Sequence, residues 1–440
     1  MAVENIPIVA IVGRANVGKS SLFNRLTGRR QAIVDDRPGT TRDSVHGLVE
    51  WGAYNFWLVD TAGLKSAEDQ FEASIQEQVS EAANSADVIV VVIEAATMIN
   101  NEDRQAAKLA LKTGKPVILA INKIDTAKGG LADKFERLGI QPMVSVSSNH
   151  GQGSGDLLDQ IVGHLPKSKA PTGSDLTIAL LGRPNVGKSS LLNSLAGKQQ
   201  AIVSERAGTT RDIGQIELKY HDQTLHILDT AGLRRVGRIE PGVEKFSTLR
   251  TMGAIAAADV CVVIIDATEP SVAGDQHIAG LVDEAGKGLI LVVNKWDALE
   301  KDDKTQARLA AKIQKDFQFA WWAPLIFTSA ITGQNVTKLF ELATELHERR
   351  QTKLTTPKLN NLLKSLTTKH PPAGLKNRQP KLNYVTQTGT EPPTFTFFCS
   401  QAAFLHFSYK RYIENGFREA FDFTGTPIKL EFKDKRGVGL

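Results

Sequence analysis

Two cysteines in 440 residues, Cys261 and Cys399, are too few for a disulfide framework and fit no metal-ligand or redox spacing. They read as packed thiols of a reducing cytosol. The nine histidines are scattered without a ligand-like cluster, which sets aside a histidine-rich metal centre. Long apolar runs are also missing. The longest, such as VIVVVI at 88–93, have the length of a buried strand and fall far short of the ~18 residues of a membrane span. The opening MAVENIPIVAIVG has no basic start and no small-residue cleavage site, so a first strand is expected there rather than a signal peptide. The expectation is a cytoplasmic chain without a membrane partner.

What is present begins with charge. The net value is +5, but residues 351–440 hold 14 Lys and Arg against six Asp and Glu, leaving 39 against 42 elsewhere. A basic module on a slightly acidic body points to a polyanionic partner. The length suits about three domains of ~150 residues.

Next comes a repeat. Gly13, Lys19, Gly39 and Asp60 match Gly182, Lys188, Gly208 and Asp229, all at an offset of 169. Asn122 matches Asn294 at 172, and Ser147 matches Ser329 at 182, as a duplicated domain with lengthened loops would give. In each copy short β-branched runs alternate with helical patterns: IPIVAIVG, YNFWLVD, DVIVVVIEA, PVILAINK and PMVSVSS in the first, TIALLG, TLHILDT, DVCVVIIDA, LILVVNK and PLIFTSA in the second. That alternation predicts an α/β fold, a mostly parallel sheet with helices on both faces. Ligands bind such sheets in loops beyond the carboxyl ends of the strands. The spacing predicts domains at 1–163 and 176–351, a Pro/Gly/Ser-rich linker at 164–175, and a basic module at 352–440.

The motifs fall where ligand loops should. GRANVGKS and GRPNVGKS fit G-x-x-x-x-G-K-S between a strand and a helix, a phosphate-binding loop. Gly13, Gly18, Gly182 and Gly187 let backbone N–H groups turn toward phosphates. Lys19 and Lys188 supply positive charge to the β- and γ-phosphates, and Ser20 and Ser189 a hydroxyl for Mg²⁺, with Ser21 and Ser190 beside them. In GTTRD, Thr41 and Thr210 are the expected Mg²⁺ ligands and γ-phosphate sensors. In DTAGL, Asp60 and Asp229 can hold Mg²⁺ through its water shell, and Gly63 and Gly232 leave room for a backbone N–H at the γ-phosphate. In NKID and NKWD, Asp125 and Asp297 present two acceptors to the N1–H and amino group of guanine. Adenine would leave that carboxylate unpaired, so the expected nucleotide is GTP or GDP. Lys123 and Lys295 belong to the same motif, and Asn122 and Asn294 either bind the other edge of the ring or brace neighbouring loops. Ser147 in VSS, and Ser329 and Ala330 in TSA, offer contacts to the base.

One more absence matters. Many GTPases place a glutamine after DTAG to orient the attacking water, and here Leu64 and Leu233 stand there. Slow intrinsic turnover is expected unless another group stabilises the transition state. Asn16 and Asn185 could do so by ligating a monovalent cation, K⁺, or could merely brace the loop.

These motifs resemble those of the translation-factor-related bacterial GTPases with a hydrophobic residue in the glutamine position. Two tandem copies and a basic C-terminal module are similar to the EngA family, also called Der, over essentially the whole chain. DTAGLRRVGRIEPGVEKFSTLRTMGAI and KTGKPVILAINKID resemble that family's characteristic stretches. The resemblance implies GTP hydrolysis, stimulation by K⁺, and action on maturation of the large ribosomal subunit through ribosomal RNA. Ala15 replaces the proline usual in the family, and Glu94 stands where the second copy has Asp266. Neither is expected to touch a nucleotide-binding role.

Residues 353–440 read helix, strand, strand, helix, strand, an order that resembles a KH-like α+β domain, without the GxxG loop of RNA-binding KH modules. Gly416 has no second glycine three residues on. Phe395, Phe397, Phe398, Phe407, Phe417 and Phe421 are expected in the core. Lys376, Arg378, Lys381, Lys433, Lys435 and Arg436 form either a solvated basic face or an rRNA contact. A monomeric two-site GTPase switch is the preferred reading. A one-engine, one-sensor chain is the alternative, and nothing suggests a tRNA-modifying or membrane-associated GTPase.

Overall fold

Unbroken apolar runs cannot stay in water, and a parallel sheet buries them on both faces. The computed structural model describes residues 7–28, 46–52, 54–61, 79–80, 82, 86–126, 132–166, 176–198, 214–220, 223–229, 248–372 and 379–434. The first sheet holds β1 (Ile8–Val12), β2 (His46–Trp51), β3 (Tyr54–Asp60), β4 (Val88–Glu94), β5 (Val117–Asn122) and β6 (Met143–Ser145), in the order β2-β3-β1-β4-β5-β6. The second holds β7 (Leu176–Leu181), β8 (Gly214–Tyr220), β9 (Gln223–Asp229), β10 (Val260–Asp266), β11 (Gly288–Asn294) and β12 (Leu325–Phe327), in the matching order β8-β9-β7-β10-β11-β12. In each, the pairs are parallel except one, β2 with β3 and β8 with β9.

Those antiparallel strands, HGLVEW and GQIELKY, are absent from the sequence-based set. They lie at a sheet edge, interleave polar residues, and follow the TTRD loops, so nothing in their pattern resembles the buried runs.

The third sheet joins β13 (Lys381–Gly389), β14 (Thr394–Ser400) and β15 (Lys429–Asp434) in that order, β13 antiparallel and β15 parallel to β14. Helices Thr356–Lys369 and Phe407–Ala420 cover one face, giving the expected helix-strand-strand-helix-strand order. Phe395, Phe397 and Phe417 are fully buried there, and Phe398 and Phe421 are half-buried. Phe407 departs from expectation: it is 65% exposed at the first turn of its helix, outside the apolar stripe through Tyr409, Ile413 and Phe417. Gly416 is a packing residue, since a Cβ there would come within 2.6 Å of Leu366 Cδ2.

The third sheet's module docks on the second by backbone bonds. Leu289 N donates to Gly425 O at 2.9 Å and Gly425 N to Trp322 O at 2.8 Å. Arg418 lies over Trp321 and Trp322, 5.6 and 5.3 Å from the ring centres. One apolar cluster runs through residues of the first and second sheets together, and His46 meets His277 across that boundary at 5.4 Å. Lys429 reaches Glu50 of β2 at 3.3 Å.

Candidate nucleotide sites

Both phosphate loops follow the central strand of their sheet, β1 or β7, and lead into a helix, Lys19–Leu26 or Lys188–Lys198. Gly18 and Gly187 have φ of 91° and 94°, a region that favours glycine, and a Cβ on either would overlap Asn122 Nδ2 or Asn294 Nδ2. Asn16 and Asn185 lie at the exposed tips with φ of 64°. Lys19 Nζ donates to Gly13 O at 2.8 Å and Arg14 O at 2.7 Å, and Lys188 Nζ to Gly182 O at 2.9 Å and Arg183 O at 2.7 Å. Each ammonium is thus buried inside its own loop and aimed along it.

In the first copy Ser20 Oγ donates to Asp60 Oδ2 at 2.7 Å, so the hydroxyl and carboxylate predicted to share Mg²⁺ lie side by side. Two hard oxygen donors side by side at a helix N-terminus fit a hard divalent cation next to phosphate. Thr61, next along the chain, is buried, and its hydroxyl donates to Ile11 O at 2.7 Å, which fixes the end of β3 against β1. Ser21, Ser189 and Ser190 sit exposed at the helix starts. Asp229 ends β9 as Asp60 ends β3. Its side chain lies outside the described residues, as do Thr41, Thr210, Gly63, Gly232, Leu64 and Leu233, residues 167–175 of the expected linker, and Lys376, Arg378, Lys435 and Arg436.

Asn122 acts as a brace. Its Nδ2 donates to Val17 O at 2.9 Å, while its Oδ1 accepts from Ser148 N at 3.1 Å and Ser148 Oγ at 2.8 Å. One buried amide therefore joins the phosphate loop to the loop after β6. Asn294 does the same, donating to Val186 O at 3.0 Å and accepting from Ala330 N at 3.2 Å. Of the two roles left open by the sequence, these bonds fill the bracing one.

Asp125 is exposed, and its Oδ1 accepts from Ser147 Oγ at 2.6 Å. That hydrogen bond holds its carboxyl below the usual carboxylate range, against the opposing effect of burial. Asp297 is likewise exposed after β11. Lys123 and Lys295 both adopt left-handed backbone, φ 62° and 60°. Lys123 Nζ donates to Asn16 O at 2.8 Å and pairs with Glu94 at 3.2 Å; Lys295 Nζ pairs with Asp266 at 2.6 Å. Glu94 and Asp266, at the ends of β4 and β10, therefore hold the motif lysines. Only a tertiary view could reveal this, because 28 residues separate Glu94 from its partner. Of the basic C-terminal residues, Lys381 is exposed and Lys433 is paired with Glu431 at 2.8 Å.

A phosphate loop, an acid ending the next strand and an Asn-Lys-x-Asp loop, all beyond the carboxyl ends of a parallel sheet, define a P-loop nucleotide-binding domain, here present twice. A family model described as 50S ribosome-binding GTPase matches residues 8–123 and again 177–295. Another, the KH-domain-like C-terminal domain of EngA bacterial GTPase enzymes, matches 353–433. GTPase Der of Chloroflexus aggregans is 43% identical over 98% of both chains. GTPase Der of Herpetosiphon aurantiacus is 44% identical over 98% of this chain and 97% of its own. Among solved structures, Era of Aquifex aeolicus, with GDP and aluminium fluoride, is 22% identical over 59% of this chain and 93% of its own, with a TM-score of 0.29. The chain belongs to the Der (EngA) family: it is a GTP-binding GTPase with tandem G domains and a KH-like domain.

Proposed function

We propose that the chain is a GTP-hydrolysing switch in ribosome biogenesis, acting on maturation of the large (50S) subunit through GTP-dependent association with the ribosome and its rRNA. The observation that carries the chemical half is the Ser20–Asp60 hydrogen bond at 2.7 Å, beside a lysine fixed within its own loop. The ribosomal half is supported by the description of the family model over both G domains. The domains run 1–163, 176–351 and 352–440, with 164–175 as linker.

Lys19, Thr41 and Gly63, and Lys188, Thr210 and Gly232, contact the γ-phosphate. Asp125 and Asp297 read guanine. Ser20, Thr41 and Asp60, and Ser189, Thr210 and Asp229, would hold Mg²⁺, whose chemistry when bound is neutralisation of phosphate charge. With leucine at 64 and 233, water positioning falls to other groups, and Asn16 and Asn185 would hold K⁺ beside the phosphates. The protein works as a cytoplasmic monomer. Sedimentation of the full chain with 50S particles tests this. Co-sedimentation with a non-hydrolysable GTP analogue, weakening steeply with salt, is expected. Equal absence from 50S particles with analogue and with GDP would overturn the ribosomal reading.

A further inference from the structure

We propose that Glu94 is a positioning residue of the first site: a single carboxylate that ties the phosphate loop to the base-reading loop, a tie the second site lacks. Its Oε1 lies 3.2 Å from Lys123 Nζ and its Oε2 lies 3.5 Å from Arg14 Nη2. Arg14 is the second residue of the phosphate loop, and Lys123 belongs to the motif that reads the base. Arg14 is also anchored to Asp103 at 3.2 Å and Thr97 Oγ1 at 2.9 Å, and Lys123 to Asn16 O at 2.8 Å. Glu94 is thus the shared node of two otherwise separate anchorages, in a setting where all three side chains are one-third exposed or less.

The second site has the same cations and a shorter acid. Asp266 pairs with Lys295 at 2.6 Å and spends its other oxygen on Thr268 N and Oγ1, at 2.9 and 2.7 Å. Arg183 instead meets Asp275 at 3.0 Å and Glu269 at 3.5 Å. Among the described residues no side chain joins Arg183 to Lys295. One methylene more in Glu94 lets it span two cations; one fewer in Asp266 leaves it serving one.

The physical signature is non-additivity. If either Arg14 or Lys123 loses its charge, the other still neutralises Glu94. If both do, a largely buried carboxylate is left without a cation, and the double change costs more than the two singles combined. Both loops that grip the nucleotide then loosen together, so the effect reaches nucleotide release.

This rests on the reading of these loops as a GTP site, and the test separates the two. The full chain carrying Lys188→Ala, to silence the second site, is loaded with a fluorescent GDP analogue, and its dissociation rate is measured. Arg14→Met, Lys123→Met and the double variant are compared with Glu94 and with Glu94→Gln. The double variant should release the analogue about fivefold faster than the product of the single effects. That excess should vanish with Glu94→Gln. In the mirror chain carrying Lys19→Ala, Arg183→Met and Lys295→Met should multiply simply, and Asp266→Glu should introduce the excess. Simple multiplication at the first site, or an excess that survives Glu94→Gln, overturns the proposal. Failure of the Lys188→Ala chain to bind analogue at all overturns the site reading. The tie is then decided by thermal unfolding of the same nucleotide-free variants, which must show the same non-additivity.

Discussion

In the first G domain Ser147 Oγ donates to Asp125 at 2.6 Å; in the second, Ser329 Oγ accepts from Thr332 N at 3.0 Å, and Asp297 has no hydrogen bond among the described residues. Ser148 adds its hydroxyl to the brace on Asn122 at 2.8 Å, where Ala330 gives Asn294 its backbone N–H and the hydroxyl comes from Thr328, at 3.4 Å. The strand order, the lysine inside the loop and the asparagine brace are common to both. Duplication has therefore kept what shapes the phosphate loop and varied what holds the carboxylate of the NKxD loop. Ser148, which weakens the motif match on paper, adds a bond in space. Two sites with the same letters need not release their nucleotides alike.

The largest effects test what is shared. If Lys19 and Lys188 supply charge to the phosphates as proposed, Lys19→Ala and Lys188→Ala should each lower GTP turnover at their own site by about a hundredfold or more. Single-turnover hydrolysis by each variant, with the wild-type chain alongside, measures this. If one variant loses all activity and the other none, the sites are an engine and a sensor. Next, Asp125→Asn and Asp297→Asn should weaken GTP by about a hundredfold at their own sites, since an amide sets a donor against the guanine N–H groups. Calorimetric titration in chains with the opposite site silenced checks it. A loss at one site alone would mean that only that carboxylate reads the base.

How much of this the sequence discloses follows from how far apart the partners lie. The phosphate loops, DTAG and NKxD are local: their backbone geometry is written in glycines and in residues next to one another, so the sheet class and the loop positions are legible. The edge strands β2 and β8 are not, because their sequences interleave polar with apolar residues and only pairing with β3 and β9 makes them strands. The node at Glu94 is not legible either, because Arg14 and Lys123 come together only after β1, β4 and β5 pair. Phe407 misleads for a related reason: an aromatic in an amphipathic helix is core only if it falls on the buried stripe.

A third difference lies beneath the sites. Lys115 and Lys287 occupy matching positions before β5 and β11, and each donates to a carbonyl ahead of β4 or β10, Ala86 O at 2.5 Å and Ala256 O at 3.0 Å. Lys115 is half-buried, whereas Lys287 is buried in the second copy, whose neighbouring Arg350 and Glu391 lie at the KH-like domain's docking turn. Burial, helped by the Arg350 charge, lowers Lys287 from the ordinary 10.5 to about 8. Between these values the unfolded chain binds the proton and the folded chain does not, so stability should rise as pH increases from about 8 to 10.5. Lys287→Met should abolish that rise and stabilise the chain at pH 7, on the order of 3 kcal/mol. Lys115→Met should do neither. Urea unfolding across this pH range, followed by the tryptophans of the second domain, reads both. No difference between the two variants would mean that the KH-like domain does not cover Lys287 in solution.

The smallest expected effect falls on Asp125 itself. The hydrogen bond from Ser147 favours its ionised form, so in the folded chain it should take up a proton only below the ordinary value of 3.8. The sign follows: whatever the bond contributes is present at neutral pH and is lost as pH falls through that lowered value. Ser147→Ala removes the donor, and the titration midpoint should climb back toward 3.8. Ser329→Ala takes away a hydroxyl that instead accepts from Thr332 N. The Asp125 carboxyl carbon shift followed by NMR against pH checks this. The same serine is bonded to the carboxylate before any nucleotide arrives. Ser147→Ala should therefore slow GDP binding at the first site by no more than a few-fold, and Ser329→Ala should leave the second site unchanged. An equal slowing by both would mean that the two serines act through loop shape alone, and that the difference at Asp125 has no bearing on nucleotide capture.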